Sequence, residues 1–262
     1  AYEISRSMRF DSGDSTHFSR TFGSGNRKTF TWSGWLKSTQ NQAGSSQYIF
    51  GTNDHIFMNR GGGEFDISDS PNIALRTERV FRDYTAWYHL VVAVDTTIAS
   101  PASDRVKIYV NGTRVTDFAT GYETYPSQDF QCNLNTAVQH SLGNFGTNTT
   151  YGYDGYMADV HFVDGSQLTP DDFGELVDGN WNPKRFAGSH GSNGFYLKFN
   201  DPTSLTTLGN DSSSAGNNWT LANAQATSNN YPYYVYAGDA TYNGSETSKD
   251  FYTGNGYTLF DG

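Results

Sequence analysis

Two carboxylates, Glu64 and Asp66, are the residues of this sequence whose spacing most directly suggests catalysis. They belong to the segment Glu64-Phe65-Asp66-Ile67, whose alternation of polar and apolar residues is typical of a β-strand, so both side chains should lie on one face. Two carboxylates held about 5–5.5 Å apart can serve as nucleophile and acid/base in glycoside hydrolysis. The following Asp69-Ser70-Pro71-Asn72 is typical of a turn, so we expect the strand to end at Ile67.

Aspartates in two loop segments raise a second possibility, a calcium site. Ca²⁺ binds several carboxylate and carbonyl oxygens, which are usually gathered on loops. Asp11 and Asp14 of Asp11-Ser12-Gly13-Asp14 could provide such oxygens, together with Asp154 and the loop of residues 144–153. The Asp-Ser-Gly-Asp pattern is also typical of an ordinary turn, and we favour the turn.

Tyrosines in polar loops suggest a third kind of site, for carbohydrate. Aromatic rings stack on sugar rings, while asparagine, aspartate and backbone groups provide directional hydrogen bonds. The candidates are Tyr122, Tyr125, Tyr151 and Tyr153, with Asn144 at the start of the last loop. The alternative is that these tyrosines pack on the rim or against a neighbouring subunit, and the sequence does not choose between the two.

Composition and charge restrict the function further. The formal net charge is −10 and the 17 lysines and arginines are scattered, which argues against a nucleic-acid groove. No apolar run is long enough for a membrane span, and the first residues lack an apolar signal core. A single cysteine, Cys132, excludes an intrachain disulfide, and we expect a buried, inert thiol in a protein made in a reducing cytoplasm. The histidines show no metal-binding spacing, and we expect His55 and His161 on strand surfaces.

Short strands separated by turn residues must position these candidates. The central pair is Trp87–Asp95, a β-branched run expected to be buried on both faces, and Arg105–Asn111, which alternates. Asn111-Gly112 predicts a tight hairpin turn. Thr169 and Pro170 predict one helical turn with Thr169 as its N-cap. The remaining segments repeat the short-strand pattern, so the sequence predicts an all-β sandwich in which helices are few and short.

The texture of the chain changes near residue 222. Residues 1–221 contain the strand patterns, whereas residues 222–262 contain many tyrosines among small polar residues and few aliphatic ones. We therefore predict one sandwich domain followed by a tyrosine-rich extension, which we expect to dock on a partner.

Several motifs in order resemble a known family. They are Phe30–Lys37 (Phe-x-Trp-Ser-Gly-Trp-Leu-Lys), Ala86–His89, Lys107–Gly112, Ser141–Gly143, Asp154–Val160 and Leu168–Gly174. Residues 7–221 thereby resemble the laminin-G-like branch of the concanavalin-A-like jelly rolls. The resemblance implies two antiparallel sheets with loops at the rims, and often a calcium ion at one rim. The closing segments Trp181–Lys184, Asn193–Phe199, Asn210–Ser213 and Asn217–Thr220 are similar to laminin-G-like virion proteins of tailed, especially marine, bacteriophages.

The resemblance implies a non-enzymatic virion surface protein, a capsid decoration or fibre module. We expect it to contact other virion proteins, copies of itself and host glycans. One alternative is a secreted bacterial carbohydrate-binding or adhesion module. Another is a polysaccharide-cleaving enzyme, because Glu64 to Asp69 resembles the Glu-x-Asp-x-(x)-Glu strand of jelly-roll β-glucanases. The last position is Asp69 rather than glutamate, which counts against that alternative.

Overall fold

The computed structural model describes residues 2–39, 46–52, 55–60, 62–146, 151–200, 206–223 and 234–236, with backbone alone for 55–60 and 234–236. Its strands, in chain order, are β1 (Arg6–Phe10), β2 (His17–Thr21), β3 (Thr29–Ser38), β4 (Ser46–Gly51), β5 (His55–Arg60), β6 (Phe65–Asp69), β7 (Ile73–Thr77), β8 (Tyr88–Asp95), β9 (Val106–Val110), β10 (Thr113–Arg114), β11 (Phe118–Thr124), β12 (Gln139–Leu142), β13 (Gly155–Asp164), β14 (Gly174–Val177), β15 (Asn180–Pro183), β16 (Phe195–Leu197), β17 (Thr220–Ala222) and β18 (Tyr234–Tyr236).

The strands form two antiparallel sheets that enclose one core. The first sheet has the order β10-β9-β8-β3-β13-β1-β18, with β16 also paired to β13. The second has the order β11-β7-β6-β5-β4-β12-β2-β17, and β14 and β15 form a separate hairpin. The predicted all-β class is confirmed: the fold is a sandwich of two antiparallel sheets.

The predicted central pair lies in the first sheet. β8 and β9 pair in register, and Asn111 and Gly112, with φ of 48° and 77°, form the turn from β9 to β10 that the hairpin pattern predicts. Leu90, Val92 and Val94 alternate toward the core, where they meet rings such as Trp32. Replacing a buried aromatic of this size by alanine costs about 3–5 kcal/mol.

The first sheet is closed on its outer face as well. Residues between Ser166 and His190 lie across β3, β8 and β13, and Val91, Val163 and Phe173 form a second apolar cluster there. This explains why β8 is a continuous apolar run. The 3-10 helix Pro170–Asp172 lies in this cover, with Thr169 as N-cap; the Thr169 N–H donates to the Asp172 carboxylate at 2.9 Å.

Two strand-level expectations are wrong. β6 continues to Asp69 instead of ending at Ile67, so the turn begins at Ser70. His161 is on β13 but is 1% exposed, because the cover lies on it. The side chain of His55 lies outside the described residues; its backbone belongs to β5. Of the tyrosine-rich extension, only Ala222, Asn223 and β18 are described, and β18 pairs with the edge strand β1. The docking role of the extension stays a prediction.

Candidate functional site

Three aromatic side chains form a partly exposed cluster at one rim of the sandwich. The Tyr48 ring centroid lies 4.6 Å from that of Phe145 and 5.5 Å from that of Tyr151, and Phe145 and Tyr151 are 6.3 Å apart. Tyr151 is 37% exposed. We call Tyr48, Phe145 and Tyr151 the rim cluster. Such a surface of adjacent rings presents an apolar platform with polar edges, which suits a sugar ring.

A β-bulge turns Tyr48 toward this rim. The register of β4 with β5 shifts between Tyr48 and Phe50, so one extra residue enters β4 there. Ile49 and Phe50 are both fully buried in the core, whereas Tyr48 is half-buried. Local twist at the bulge thus places one ring outside without opening the core.

The base of the rim loop positions Phe145. The Tyr153 N–H donates to the Gly143 carbonyl at 2.9 Å and closes the loop. Gly143 has φ of +87°, and a Cβ there would lie 2.2 Å from the Phe10 ring. Only glycine combines this backbone conformation with so close an aromatic neighbour. The predicted Ser141-Leu142-Gly143 motif is therefore a structural requirement of this loop.

Asn144 is buried beside the rim cluster. Its Oδ1 accepts the Phe145 N–H at 2.8 Å, while its Nδ2 has no hydrogen-bond partner in the described part of the chain. A buried donor without a partner costs about 1–3 kcal/mol, and such groups are rare in native proteins. The predicted ligand residue Asn144 therefore lies next to the rim cluster, but its side chain is buried and is not part of the exposed surface.

The structure corrects the expectation for Tyr153. This tyrosine is fully buried, and its ring meets Phe10 edge-on at 6.1 Å between centroids. Burial raises the pKa of its hydroxyl well above the ordinary value. Because the ring fills the core, it is not available to stack on a ligand. Tyr151, two residues earlier, is the exposed residue of the predicted pair.

Tyr122 and Tyr125 lie at the far edge of the second sheet, around β11. Tyr122 is 38% exposed, and the Arg76 guanidinium carbon lies 3.3 Å from its ring centroid. The Arg76 Nε donates to the Asp66 carboxylate at 2.9 Å. Tyr125 packs against the core beside Phe118, and its hydroxyl donates to Glu123 at 3.4 Å; burial, then Glu123, raises its pKa to about 12. Tyr122 offers a ligand surface, and Tyr125 serves mainly in packing.

Two of the three candidate calcium ligands, Asp11 and Asp154, contact groups of the protein itself, and a calcium site with Asp14 stays a prediction. Asp154 is buried, and its two oxygens accept the Ser12 N–H at 2.7 Å and the Ser12 hydroxyl at 2.5 Å. Asp11 accepts the Gly13 N–H at 2.9 Å and pairs with Arg9 at 3.0 Å. Among the described residues, no three His, Cys, Asp or Glu side chains are grouped to hold a metal ion. These contacts are turn chemistry, the reading we favoured.

The carboxylates Glu64, Asp66 and Asp69 do not share one face. β6 pairs with both neighbours without a register shift, so Asp69 follows Phe65 and Ile67 toward the core. It is 4% exposed and accepts the Asn133 N–H at 3.0 Å. Asp66 lies on the opposite face, in its ion pair with Arg76. The geometry therefore departs from a three-carboxylate catalytic strand.

A layer of buried polar side chains lies beneath the cover and was not predicted from the sequence. The Trp181 indole N–H donates to His89 Nδ1 at 3.0 Å, and His89 Nε2 lies 2.9 Å from the Ser33 hydroxyl. Nearby, Asp159 accepts hydroxyls from Tyr2 and Tyr196. His161 Nδ1 lies 3.0 Å from His190 Nε2. The sequence did contain a signal for this layer. Polar residues at outward positions of strands as apolar as β8 and β13 indicate that the outer face is covered too.

Other residues and surfaces complete the description. Cys132 is buried, as predicted, and burial raises its pKa to about 12, so its thiol is inert. In the residues that the structure describes, no helix is long and apolar enough to cross a bilayer.

Tyr48, Phe145 and Arg76 contribute to the candidate surfaces and were not predicted, because a bulge and a loop bring them into place.

Comparison with known structures agrees with the fold. A protein from Bacteroides ovatus, described as a candidate carbohydrate-binding protein, aligns with a TM-score of 0.57 at 16% identity. The alignment covers 84% of this chain and 59% of that one, so the chain spans less than two thirds of that protein.

Two further alignments have lower scores. A heptameric SAP-like pentraxin from Limulus polyphemus aligns at 16% identity with a TM-score of 0.43, over 64% of this chain and 80% of that one. Domain 4 of the extracellular arabinanase AbnA from Geobacillus stearothermophilus, in complex with arabinotriose, aligns at 20% identity with a TM-score of 0.38, over 56% and 65%.

No curated protein matches the chain by sequence. A family model does: the one described as the concanavalin A-like lectin/glucanases superfamily, Laminin_G_3, matches residues 11–172. The match covers more than half of the 262 residues and includes the strands that carry Tyr48, Asp66, Arg76 and Tyr122. The chain therefore belongs to the concanavalin A-like lectin/glucanase superfamily.

Proposed function

We propose that this chain is a glycan-binding domain without hydrolytic activity, and that the rim cluster is its primary contact with sugar. The observation that carries the proposal is the association of Tyr48, Phe145 and the exposed Tyr151 around a loop held at its base by Gly143. The buried Asn144 side chain supports this loop from beneath, because its Oδ1 accepts the Phe145 N–H at 2.8 Å. Apolar platforms combined with a few placed polar groups are typical of small-ligand sites.

Two features support binding without cleavage. Asp66 is held in an ion pair with Arg76 at 2.9 Å, so its carboxylate is already engaged within the protein. Asp69 lies toward the core, away from Glu64 and Asp66. The Bacteroides ovatus relative is described as a candidate carbohydrate-binding protein, and we extend that role to this chain on the strength of the rim cluster.

The setting in which this binding operates stays a prediction. The bacteriophage-like segments favour a virion surface protein that contacts other capsid or fibre subunits and a host glycan, and a secreted bacterial module is the alternative. Copurification with virus particles, followed by electron microscopy, distinguishes them. Absence of the protein from every virion would leave the secreted module.

The decisive experiment is a glycan array probed with the purified chain, with Tyr151→Ala and with Leu176→Ala as control. Leu176 is 69% exposed on the β14–β15 hairpin, which packs on the other sheet. An aromatic hot spot contributes about 2 kcal/mol, so Tyr151→Ala should weaken Kd about 30-fold. Leu176→Ala should bind like the unmodified chain.

Two results would contradict the proposal. Binding of no glycan by the folded chain, or equal binding by Tyr151→Ala, removes the rim cluster as a sugar site. Release of reducing ends from a bound polysaccharide, abolished by Glu64→Gln, restores the enzymatic alternative.

A further inference from the structure

A cavity of about 330 Å³ lies in the cover on the outer face of the first sheet. Its lining comes from Val163 near the end of β13 and from two segments of the cover, residues 166–172 and 184–189. We call it the cover cavity. The rim cluster belongs to the second sheet and to the loop after β12, so the cover cavity is a separate place on the molecule.

The interior of the cover cavity is apolar, and an aromatic ring sets its shape. Val163 is buried, and Leu168 and Phe186 pack on the apolar cluster around it. The Phe186 ring stacks on that of Phe173, with 5.0 Å between the centroids. A Cβ at Gly188 would lie 2.4 Å from the Phe186 ring, so the backbone of this exposed segment passes close to the ring and holds it in place. An apolar group therefore finds a preformed surface, as is usual in small-ligand sites.

Two neighbouring cations, Lys184 and Arg185, line the opening of the cover cavity, and both are exposed. The Lys184 ammonium donates to the Asp171 carbonyl at 2.8 Å, which fixes its position. Because an ammonium has three N–H donors, this bond leaves capacity for a ligand. The Arg185 guanidinium carbon lies 5.4 Å from the Tyr2 ring centroid, a cation–π contact that restricts its motion.

The acidic lining residue, Asp172, does not cancel this positive charge. Its Oδ2 accepts the Thr169 N–H at 2.9 Å and the Thr169 hydroxyl at 3.2 Å, at the start of the 3-10 helix. The lining side chains carry two positive charges and one negative charge, whereas the whole chain has a net charge of −10. The opening of the cover cavity therefore favours an anionic group, while its interior favours an apolar one.

We propose that the cover cavity binds a small amphipathic carboxylate. The apolar body of the ligand packs on Leu168 and Phe186 in the interior. Its carboxylate accepts hydrogen bonds from Lys184 and Arg185, since a guanidinium offers paired donors that match two carboxylate oxygens. Small-ligand pockets begin at about 300 Å³, so the cavity takes a compact molecule such as an arylalkanoate rather than a long lipid chain. This site goes beyond the proposed glycan contact and does not depend on it.

The test is an NMR titration of the isotope-labelled chain with phenylpropionate, which has an aromatic ring, a short linker and one carboxylate. We expect a Kd of about 1 mM or tighter, an ordinary affinity for so small a ligand. The amide shifts should be concentrated in residues 166–168 and 184–189. Phenylpropionamide has the same shape without the charge, and acetate lacks the apolar body. Each should bind at least about tenfold more weakly than phenylpropionate.

Charge variants test the opening of the cover cavity. The double variant Lys184→Gln/Arg185→Gln should weaken binding about tenfold, because each exposed charge pair contributes up to about fivefold. Arg185→Gln alone leaves the Lys184 bond to Asp171 in place and should weaken binding about threefold; it replaces the double variant if the latter unfolds at a lower temperature. Its matched control is Arg79→Gln, since Arg79 is exposed after β7 of the second sheet, and this variant should bind like the unmodified chain.

Four results would overturn the proposal. They are the lack of saturable shifts at about ten times the expected Kd, shifts confined to the rim loop, equal affinity for the amide, and unchanged affinity in folded charge variants. None of these results bears on glycan binding, which the array measures separately.

Discussion

Acidification from pH 8 to pH 5 should destabilise the fold through two buried histidines. At His89, the Trp181 indole N–H can only donate, so Nδ1 is the acceptor and Nε2 carries the proton that is donated to Ser33. Protonation of Nδ1 would place its N–H opposite the Trp181 indole N–H, so two donors would face each other without an acceptor. Burial, with His161 nearby, lowers the pKa of His89 to about 3, and burial and His161 lower that of His190 to about 4.

The direction of the pH effect follows from the histidine pKa values in the folded and unfolded states. Each histidine has its folded pKa below the unfolded value of 6.5, so the unfolded chain binds more protons at acidic pH. Stability is complete above pH 6.5 and decreases as the pH falls toward about 4 for His190 and about 3 for His89. At pH 5 each histidine lowers the free energy of unfolding by about 2 kcal/mol relative to pH 8, since one pKa unit corresponds to about 1.4 kcal/mol. Together they remove about 4 kcal/mol from a total that is typically 5–15 kcal/mol.

Asp159 extends this acid sensitivity to lower pH. Burial opposes its charged form, but His161 and the hydroxyls of Tyr196 and Tyr2 outweigh burial and lower its pKa below the ordinary value. Its contribution is therefore present at neutral pH and is lost only as the pH falls through that lowered pKa. The loss between pH 8 and pH 5 belongs to the histidines.

Urea unfolding at pH 8, 6.5 and 5, followed by tryptophan fluorescence, measures the effect. His89→Gln keeps an acceptor for Trp181 but does not titrate, so it should be less stable at pH 8 and lose about half of the pH dependence, about 2 kcal/mol. An unmodified chain with the same free energy of unfolding at pH 8 and pH 5 would refute the reasoning. So would a His89→Gln variant that retains the whole pH dependence.

Two further predictions concern the rim loop and the extension. Gly143→Ala should lower the free energy of unfolding by well over the ~1–2 kcal/mol of a left-handed alanine, because its Cβ would also meet Phe10 at 2.2 Å. Gly216→Ala is the matched control, since Gly216 has φ of +70° and nothing within 4 Å of the added Cβ. Equal midpoints of the two variants in thermal unfolding would contradict the argument. A chain ending at residue 223 should stay soluble and folded by circular dichroism but lose attachment or self-association in size-exclusion chromatography, whereas aggregation would place β18 within the structural domain.

Local sequence patterns predicted the elements that depend on neighbouring residues. The Asn111-Gly112 turn and the Thr169–Pro170 cap are specified within a few residues, and both are confirmed. The predicted end of β6 was wrong because Asp69 accepts a hydrogen bond from the Asn133 backbone, 64 residues away. This bond keeps a turn-forming residue in the strand. Sequence patterns that describe a few neighbouring residues cannot contain such a partner.

The candidate site was predicted less well than the fold for the same physical reason. Tyr151 and Tyr122 are exposed as their loop-like neighbours indicated, but Tyr153 has the same local composition and lies in the core. The difference comes from a long-range contact, since the Tyr153 N–H donates to the Gly143 carbonyl and holds Tyr153 at the buried base of the loop. Tyr48 was not among the predicted ligand residues, since a bulge in its strand is needed to direct its ring to the rim.

The location of the open face follows from the strands that the sequence made most conspicuous. β3, β8 and β13 are buried along nearly their whole length, so the middle of the first sheet has a core on one side and the cover on the other. Its outward polar groups, His89, Asp159 and His161, are used in hydrogen bonds beneath that cover. The second sheet retains half-buried polar and aromatic residues on its outer face, from Tyr122 through Arg76 to Tyr48. The candidate ligand residues therefore lie on the second sheet and at its rim, whereas the outward polar groups in the middle of the first sheet are enclosed.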